Sequence, residues 1–375
     1  MAQTVVPTNT RVIKWQRDYY REYIRANRFS KYIGADESAI IQLNEDLQRS
    51  IGETINFELV NRLLGNQNTG TGAVASQVSG ITGYNTLEGN EEALGIRNFR
   101  VKVDRTRWAV MHDRLDEQFS AIDLVEAKRA TLMDWSLENL RDRIIVALGS
   151  ISADGITHVA YASATTGNKD TWNVNNVDRV LYGNAVANYN ATHATALANV
   201  DTTNDTFTGA NLKLLKDVAK SASPKIRPIK VNDEEEYYVA FTGTKLFRQL
   251  QTDLATLNQA LIQGGESRKN NPIFTSGDLM YDGIVIREIP EIASLGLVGA
   301  SSAAVMPVFL CGAQAIAYAV AQRTKMIENI RDYGAKKGAG TELVDGINKI
   351  YFGKGAADAT TPVQNGVATG FFAFV

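Results

Sequence analysis

The residue types that usually carry chemistry are sparse in this chain, and their spacing matches no common catalytic or metal-binding constellation. His112, His158 and His193 are its histidines, and Cys311 is its only cysteine. None of them stands three or four positions from another, the separation that turns two ligands to one side of a helix toward a zinc ion. Neither a Gly-x-Ser-x-Gly elbow nor a Gly-Lys-Ser/Thr phosphate loop occurs. Cys311 closes the apolar run 305–311, where a thiol is expected to be buried and inert.

Two weaker patterns fail on their surroundings. Gly70-Thr-Gly72-Ala-Val-Ala75 fits a relaxed dinucleotide fingerprint, with Glu91 near the distance of a ribose-binding acid. Yet Asn66-Gln67-Asn68-Thr69 precedes it instead of a strand, and Ser-Gln-Val-Ser-Gly follows without opening an amphipathic helix that could hold a pyrophosphate. A flexible glycine loop is the expectation. The acidic run 233–236 offers oxygen ligands for a hard cation, but lacks a fuller ligand set and reads as a solvated turn. The chain is therefore expected to be no enzyme and to hold no catalytic residue, cofactor or metal.

Positive charge is the patterned feature. Arg11, Lys14, Arg17, Arg21, Arg25, Arg28 and Lys31 recur every three or four positions, the period of one helix side. Val12, Trp15, Tyr19, Tyr23, Ala26 and Ile33 fall on the other side. Only Asp18 and Glu22 offset this charge, within a chain of formal balance -2. Three readings fit the spacing: an ordinary amphipathic surface helix, a helix for nucleic acid or a membrane surface, and an arm that docks on another subunit.

The 375 residues suffice for two or three packed units. A lone cysteine forbids an intrachain disulfide and suits a reducing cytosol. The first sixteen residues lack the apolar core of a signal peptide, so the mature N-terminus is expected to be the encoded one. Residues 292–322 carry no charge, but glycine, serine, proline and glutamine interrupt them. They are expected to form a buried strand over 305–311 and then a helix over 313–321, not a membrane span.

Elsewhere the periodicity is plainer. Residues 38–50 are expected as a short helix or turn region. Ile55, Phe57 and Leu59 alternate with Asn56, Glu58 and Val60, and Phe99, Val101 and Val103 alternate with Arg100, Lys102 and Asp104. These are two strands of a β arm, joined by a flexible tip rich in Gly, Thr, Asn and Ser over 65–90. Ser120 and Asp123 can cap a helix that carries an apolar stripe of Met133, Leu137, Leu140, Ile144 and Leu148 to Gly149. It would run about 43 Å and lie across a sheet. Residues 152–209, rich in Thr, Asn, Ala and Asp, look like a polar insertion, and 210–221 is a clean helix. Strands over 226–231 and 237–241 make a hairpin, and Asp282-Gly283 marks another. A second Asp-Gly, Asp345-Gly346, precedes a further apolar run, and 370–375 closes the chain as a strand.

Residues 15–24 (Trp-Gln-Arg-Asp-Tyr-Tyr-Arg-Glu-Tyr-Ile), 87–94 (Leu-Glu-Gly-Asn-Glu-Glu-Ala-Leu) and 224–232 (Pro-Lys-Ile-Arg-Pro-Ile-Lys-Val-Asn), with Tyr237-Tyr-Val, carry a resemblance. With the order of parts, they are similar to tailed-bacteriophage major capsid proteins of HK97-like fold, in the family typified by short-tailed phages carrying a virion RNA polymerase. The resemblance implies an α+β fold: an N-terminal arm over 1–51 and an extended β-hairpin E-loop over 52–112. A P-domain follows over 113–275, with a long spine helix, an antiparallel sheet and the polar insertion, part of which could belong to the A-domain. The A-domain covers 276–331, and 332–375 returns to the P-domain sheet. The insertion and a lengthened tip over 66–85 depart from the family pattern.

By the same resemblance the chain is a coat protein that self-assembles as hexamers and pentamers into an icosahedral shell around phage double-stranded DNA. Other copies of itself are its partners, with portal, scaffold and decoration proteins beside them and DNA held without specificity; no membrane is involved. The place implied is the virion capsid, made and assembled in the bacterial cytoplasm. On this view Arg11, Lys14, Trp15, Arg17, Tyr19, Arg21, Tyr23, Arg25, Arg28 and Lys31 become candidates for contacts between subunits. A nucleic-acid-binding virion or nucleoid protein, or an encapsulin-like compartment shell, are the alternatives.

Overall fold

The computed structural model describes residues 28–45, 53–60, 66–68, 77–79, 86, 88, 91, 94–120, 122–231, 235–263, 279–354 and 360–374. Strands β1 (Ile33–Gly34), β2 (Ile41–Asn44), β3 (Thr54–Val60), β4 (Asn66–Asn68), β5 (Gln77–Ser79), β6 (Ile96–Lys102) and β7 (Asp104–Asp113) come first. Helices α1 (Arg114–Phe119), α2 (Leu124–Gly149) and α3 (Thr166–Asn175) follow, then β8 (Val180–Tyr182), α4 (His193–Ala198) and α5 (Gly209–Ser221). Next are β9 (Ile229–Val231), β10 (Glu235–Thr242), α6 (Thr244–Gln263), β11 (Leu279–Tyr281) and β12 (Ile284–Glu288). The chain ends through β13 (Ala304–Cys311), β14 (Ile316–Arg331), β15 (Lys336–Lys349), β16 (Tyr351–Gly353), β17 (Pro362–Gln364) and β18 (Val367–Phe374).

Two sheets organise these elements. The seven-stranded sheet has the order β11-β12-β10-β13-β18-β8, with β9 paired to β10. Its inner strand β18, between β13 and β8, is buried along its whole length, which explains the apolar run at the end of the sequence. Phe372 and Phe374 face helices α5 and α6 through Leu215, Leu246 and Leu250, while Phe371 and Ala373 face Trp172, Tyr182 and Leu197. The five-stranded sheet has the order β1-β2-β14-β15-β7. Its β14, β15 and β7 are antiparallel, as expected, but β1, β2 and β14 run parallel to one another.

The β arm forms as its alternation requires. Strands β3 and β6 pair antiparallel with Phe57 opposite Phe99, and Ile55, Phe57, Phe99 and Val101 bury one face against Ile350 and Phe352. Asp282 (φ 50°) and Gly283 (φ 69°) make the tight turn of the β11–β12 hairpin, a conformation that Asp-Gly adopts readily. Helix α5 and the β9–β10 hairpin also stand where periodicity puts them.

Several expectations are corrected. Residues 313–321 hold no helix: Ile316 to Val320 open β14, bonded to β2 and β15. Alanine's helix preference gives way because this short run is buried between two strands, and so few apolar residues cannot distinguish strand from helix. Residues 41–44 form a strand, not a helix or turn. The second Asp-Gly, Asp345-Gly346, lies inside β15, where a Cβ at Gly346 would stand 2.3 Å from the Lys102 carbonyl oxygen. The glycine lets β15 pass the base of the arm.

Helix α2 is 26 residues long, about 39 Å. Its cap is Asp123, which accepts from the Val125 and Glu126 amides at 2.9 and 3.1 Å, whereas the Ser120 hydroxyl turns to Ile122. The helix does pack on β15, but its buried face is not the expected stripe. Ile144 and Leu148 are buried, while Met133 and Leu137 stay 67% and 50% exposed, and Lys128, Leu132 and Arg141 take the inward positions. The long stems of Lys128 and Arg141 supply the apolar cover there, and the Lys128 ammonium reaches the Lys337 carbonyl at 3.3 Å.

The largest correction concerns residues 152–209, which are packed into the body instead of decorating it. Strand β8 adds to the edge of the seven-stranded sheet beside β18, and Trp172, Leu181, Tyr182, Leu197 and Phe207 are buried. The polar residues bond inward. Asn173 donates to the Asn190 carbonyl at 2.7 Å, Asp205 accepts from the Asn184 amide at 2.7 Å, and fully buried Arg179 donates to the Gln364 carbonyl at 2.6 Å. Polar composition signals surface only when the polar groups are left to water.

Candidate functional site

The chemistry-bearing residues are dispersed and enclosed. Cys311 is completely buried in β13, and burial pushes its thiol up to about 12, so it is a core residue and not a nucleophile. His158 lies between Phe99 and Tyr351, each about 5.4 Å from its ring, and neither ring nitrogen meets a hydrogen-bond partner among the described residues. His193 joins α4 to β8: its Nδ1 lies 2.7 Å from the Tyr182 hydroxyl and its Nε2 2.8 Å from that of Tyr161. Tyr182 gives its proton to Asn173 Oδ1, whose amide group is fixed by two backbone carbonyls. Nδ1 must therefore donate, and because burial favours the neutral imidazole, Nε2 accepts from the Tyr161 hydroxyl. Burial lowers both histidines to about 4.

Among the described residues no group of three or more His, Cys, Asp or Glu side chains could hold a metal, and no helix is long and apolar enough to cross a membrane. The glycine pattern 70–75 and Asp233 and Glu234 of the acidic run lie outside the described residues.

Of the basic segment, Arg11, Lys14, Trp15, Arg17, Tyr19, Arg21, Tyr23 and Arg25 also lie outside the described residues. Arg28 and Lys31 come at its end. Arg28 donates to the Glu288 carbonyl at 2.8 Å, a contact within its own chain, while Lys31 is exposed on the short 3-10 turn Ser30–Tyr32. Ile33, expected on the apolar side of a helix, opens β1 instead. This stretch is moored by Phe29 against Phe241, ring centres 5.0 Å apart, and by Arg287 donating to the Tyr32 hydroxyl at 2.6 Å. The basic segment therefore enters the body at a fixed point beside β10 and β12.

A second set of surface residues was not legible in the sequence. Trp108 of β7 stacks on Trp135 of α2, centroids 5.7 Å apart and planes 20° from parallel, yet Trp108 remains largely exposed. Met133 and Leu137 on α2, Ile330 and Tyr333 at the β14–β15 turn, and Val60, Leu94 and Ile96 at the far end of the arm are exposed as well. These large apolar groups are exposed on several separate elements of the fold. A count of exposed apolar residues along β7 and α2 would have found them, had the buried face of each been known.

Charge pairs fasten the elements that carry these groups. Arg143 of α2 meets Asp345 of β15 at 2.6 Å, where the carboxylate is fully buried. Burial raises the Asp345 carboxyl and Arg143 opposes that rise. Lys337 holds Glu117 at 2.8 Å and lowers its carboxyl, fixing α1 to the hairpin tip. Arg97 of the arm donates to the Gly353 carbonyl. These contacts tie α1, α2 and the arm to the strands beside them.

The family described as "Phage capsid protein" matches residues 3–369. The major capsid protein of Pseudomonas phage KPP25 is 25% identical over 361 residues, covering 92% of this chain and 90% of that protein. The capsid asymmetric unit of cyanophage Pam1 superposes with a TM-score of 0.84 at 34% identity, over 100% of this chain and 99% of the other. The capsid protein of Ralstonia phage GP4 shares the fold, with a TM-score of 0.72 at 23% identity over 100% and 99%.

Proposed function

Because the chain belongs to the phage capsid protein family, as a major capsid protein of HK97-like fold, we propose that it closes an icosahedral shell through arms laid on neighbouring copies. Self-assembly into that shell is its function, and the virion capsid is its place. Hexamers and pentamers of the chain are the capsomers of this reading, enclosing double-stranded DNA without base-specific contacts. Portal, scaffold and decoration proteins are partners that act on the same surfaces, and synthesis and assembly occur in the bacterial cytoplasm.

The observation that carries the arm contacts is the β3–β6 ladder. Among the described residues it shares no backbone pairing with either large sheet; it is anchored on one face and bears uncovered Val60, Leu94 and Ile96 at its far end. An arm of this kind reaches where a compact face cannot, and repeated overlaps add affinity through multivalency. The E-loop is then 52–112 and the spine helix α2. The body divides into a P-domain over 113–275, an A-domain over 276–331 and a return over 332–375. Residues 1–51 form the N-terminal arm, with Trp15, Tyr19 and Tyr23 packed on the shell and the basic stripe toward acidic groups of a neighbour or the genome. A chain near charge neutrality suits a liner that surrounds DNA without gripping it.

Sedimentation velocity of the purified protein tests this reading. Fast-sedimenting particles or capsomers support it, whereas a stable monomer with salt-sensitive DNA affinity would return the basic segment to nucleic-acid binding.

A further inference from the structure

An apolar cleft of about 370 Å³ lies between the C-terminal end of α2 and the face of the seven-stranded sheet made by β13 and β18. Ile145, Trp172, Ile292, Leu295, Phe309 and Phe371 form its walls, and no carboxylate lines it. Its mouth is open to solvent at Val146, which is 53% exposed, and at Ala293 and Ser294.

Lys349 and Thr369 are buried polar residues that line this apolar space. The Lys349 ammonium donates to the Ser150 carbonyl at 3.0 Å and to Gln364 Oε1 at 2.9 Å. Both partners are neutral, so when the amine is protonated its third proton and its charge meet no anion among the residues lining the cleft. Burial brings this amine down to about 7, which is the cost of that missing partner. Thr369 is buried on β18, and its hydroxyl has no hydrogen-bond partner among the described residues. Buried donors are rarely left idle.

We propose that the cleft is a binding site for a small amphipathic monocarboxylate, its hydrocarbon body against the apolar walls and its carboxylate on the Lys349 ammonium and Thr369 hydroxyl. The volume falls in the range of small-molecule sites, which are mostly apolar with a few polar groups that fix orientation. A purely apolar ligand would leave both donors unused. A phosphate or other dianion would bring more charge than one ammonium can offset and would gain nothing from the walls. All of its lining residues belong to one chain.

The test titrates the full-length protein with hexanoate, octanoate, decanoate and laurate, with decanol as uncharged control, by calorimetry and thermal unfolding. The expected result is saturable binding of one acid per chain, with decanoate about tenfold or more tighter than decanol, the ratio that a hydrogen bond to a charged group brings. Lys349→Met should remove that preference, and Thr369→Val should weaken decanoate about threefold. Lys349 also ties Ser150 to Gln364, so its replacement endangers the fold. Val146→Trp, on the exposed helix surface, tests the site separately by filling the mouth and abolishing binding. Absence of saturable binding, equal affinity for decanoate and decanol, or undiminished affinity in Val146→Trp would each overturn the proposal.

Discussion

At the scale of single residues, the buried imidazoles of His158 and His193 are part of the packed interior. His158 and His193 are lowered from 6.5 to about 4 by burial, so each is neutral when folded at physiological pH. The unfolded chain takes up their protons first as pH falls below 6.5. Stability is therefore intact above that value and declines down to about 4, by about 3 kcal/mol for each imidazole. Urea unfolding across that range should show the decline, and His158→Leu should reduce its slope by about one proton. An unchanged slope would mean that His158 is already charged in the folded protein. Arg143→Met should cost about 3 kcal/mol in the same measurement, because it leaves the Asp345 carboxylate buried without its partner. Cys311 was legible from its apolar run; the two imidazole environments were not, since their partners come from Phe99, Tyr351, Tyr161 and Tyr182, which only folding gathers.

Elements were legible where one face is wet. The alternation of Ile55, Phe57 and Leu59 and of Phe99 and Val101 gave the arm, and Asp282-Gly283 gave its hairpin. Buried elements were harder to read. Ile316 to Val320 lie between two strands and lose the contrast that marks a period, and the polar side chains of 173–205 bond to buried backbone instead of water. Helix α2 shows a third difficulty, because its apolar Met133 and Leu137 face outward while Lys128 and Arg141 face in. That inversion predicts a function for the outer face. Met133→Asp with Leu137→Lys should alter monomer stability by no more than about 0.5 kcal/mol, as exposed sites do, while reducing the yield of particles. Equal loss of both would make the face part of the core. Excision of residues 67–84 tests the arm in the same way: the unfolding temperature of the monomer should hold while assembly weakens, and normal shells would contradict the contact role.

On the scale of the whole molecule, a positively charged beginning is attached to a chain that is nearly neutral in sum. The described end of that segment is moored by Phe29, Tyr32 and Arg28 to β10 and β12, so whatever it meets is met from a fixed origin. Charge reversal at Arg17, Arg21 and Arg25 is expected to impair assembly more than folding, read by comparing sedimentation with urea unfolding. If folding suffers equally, the segment is an ordinary part of the body. The same molecule carries a two-sheet core, an anchored arm and uncovered apolar ends. Electron microscopy of the purified full-length protein tests its self-assembly into a shell most directly. Closed particles, or rings with sixfold and fivefold symmetry, are the predicted result; a protein that stays monomeric under conditions of assembly, or that forms only open filaments, would contradict it.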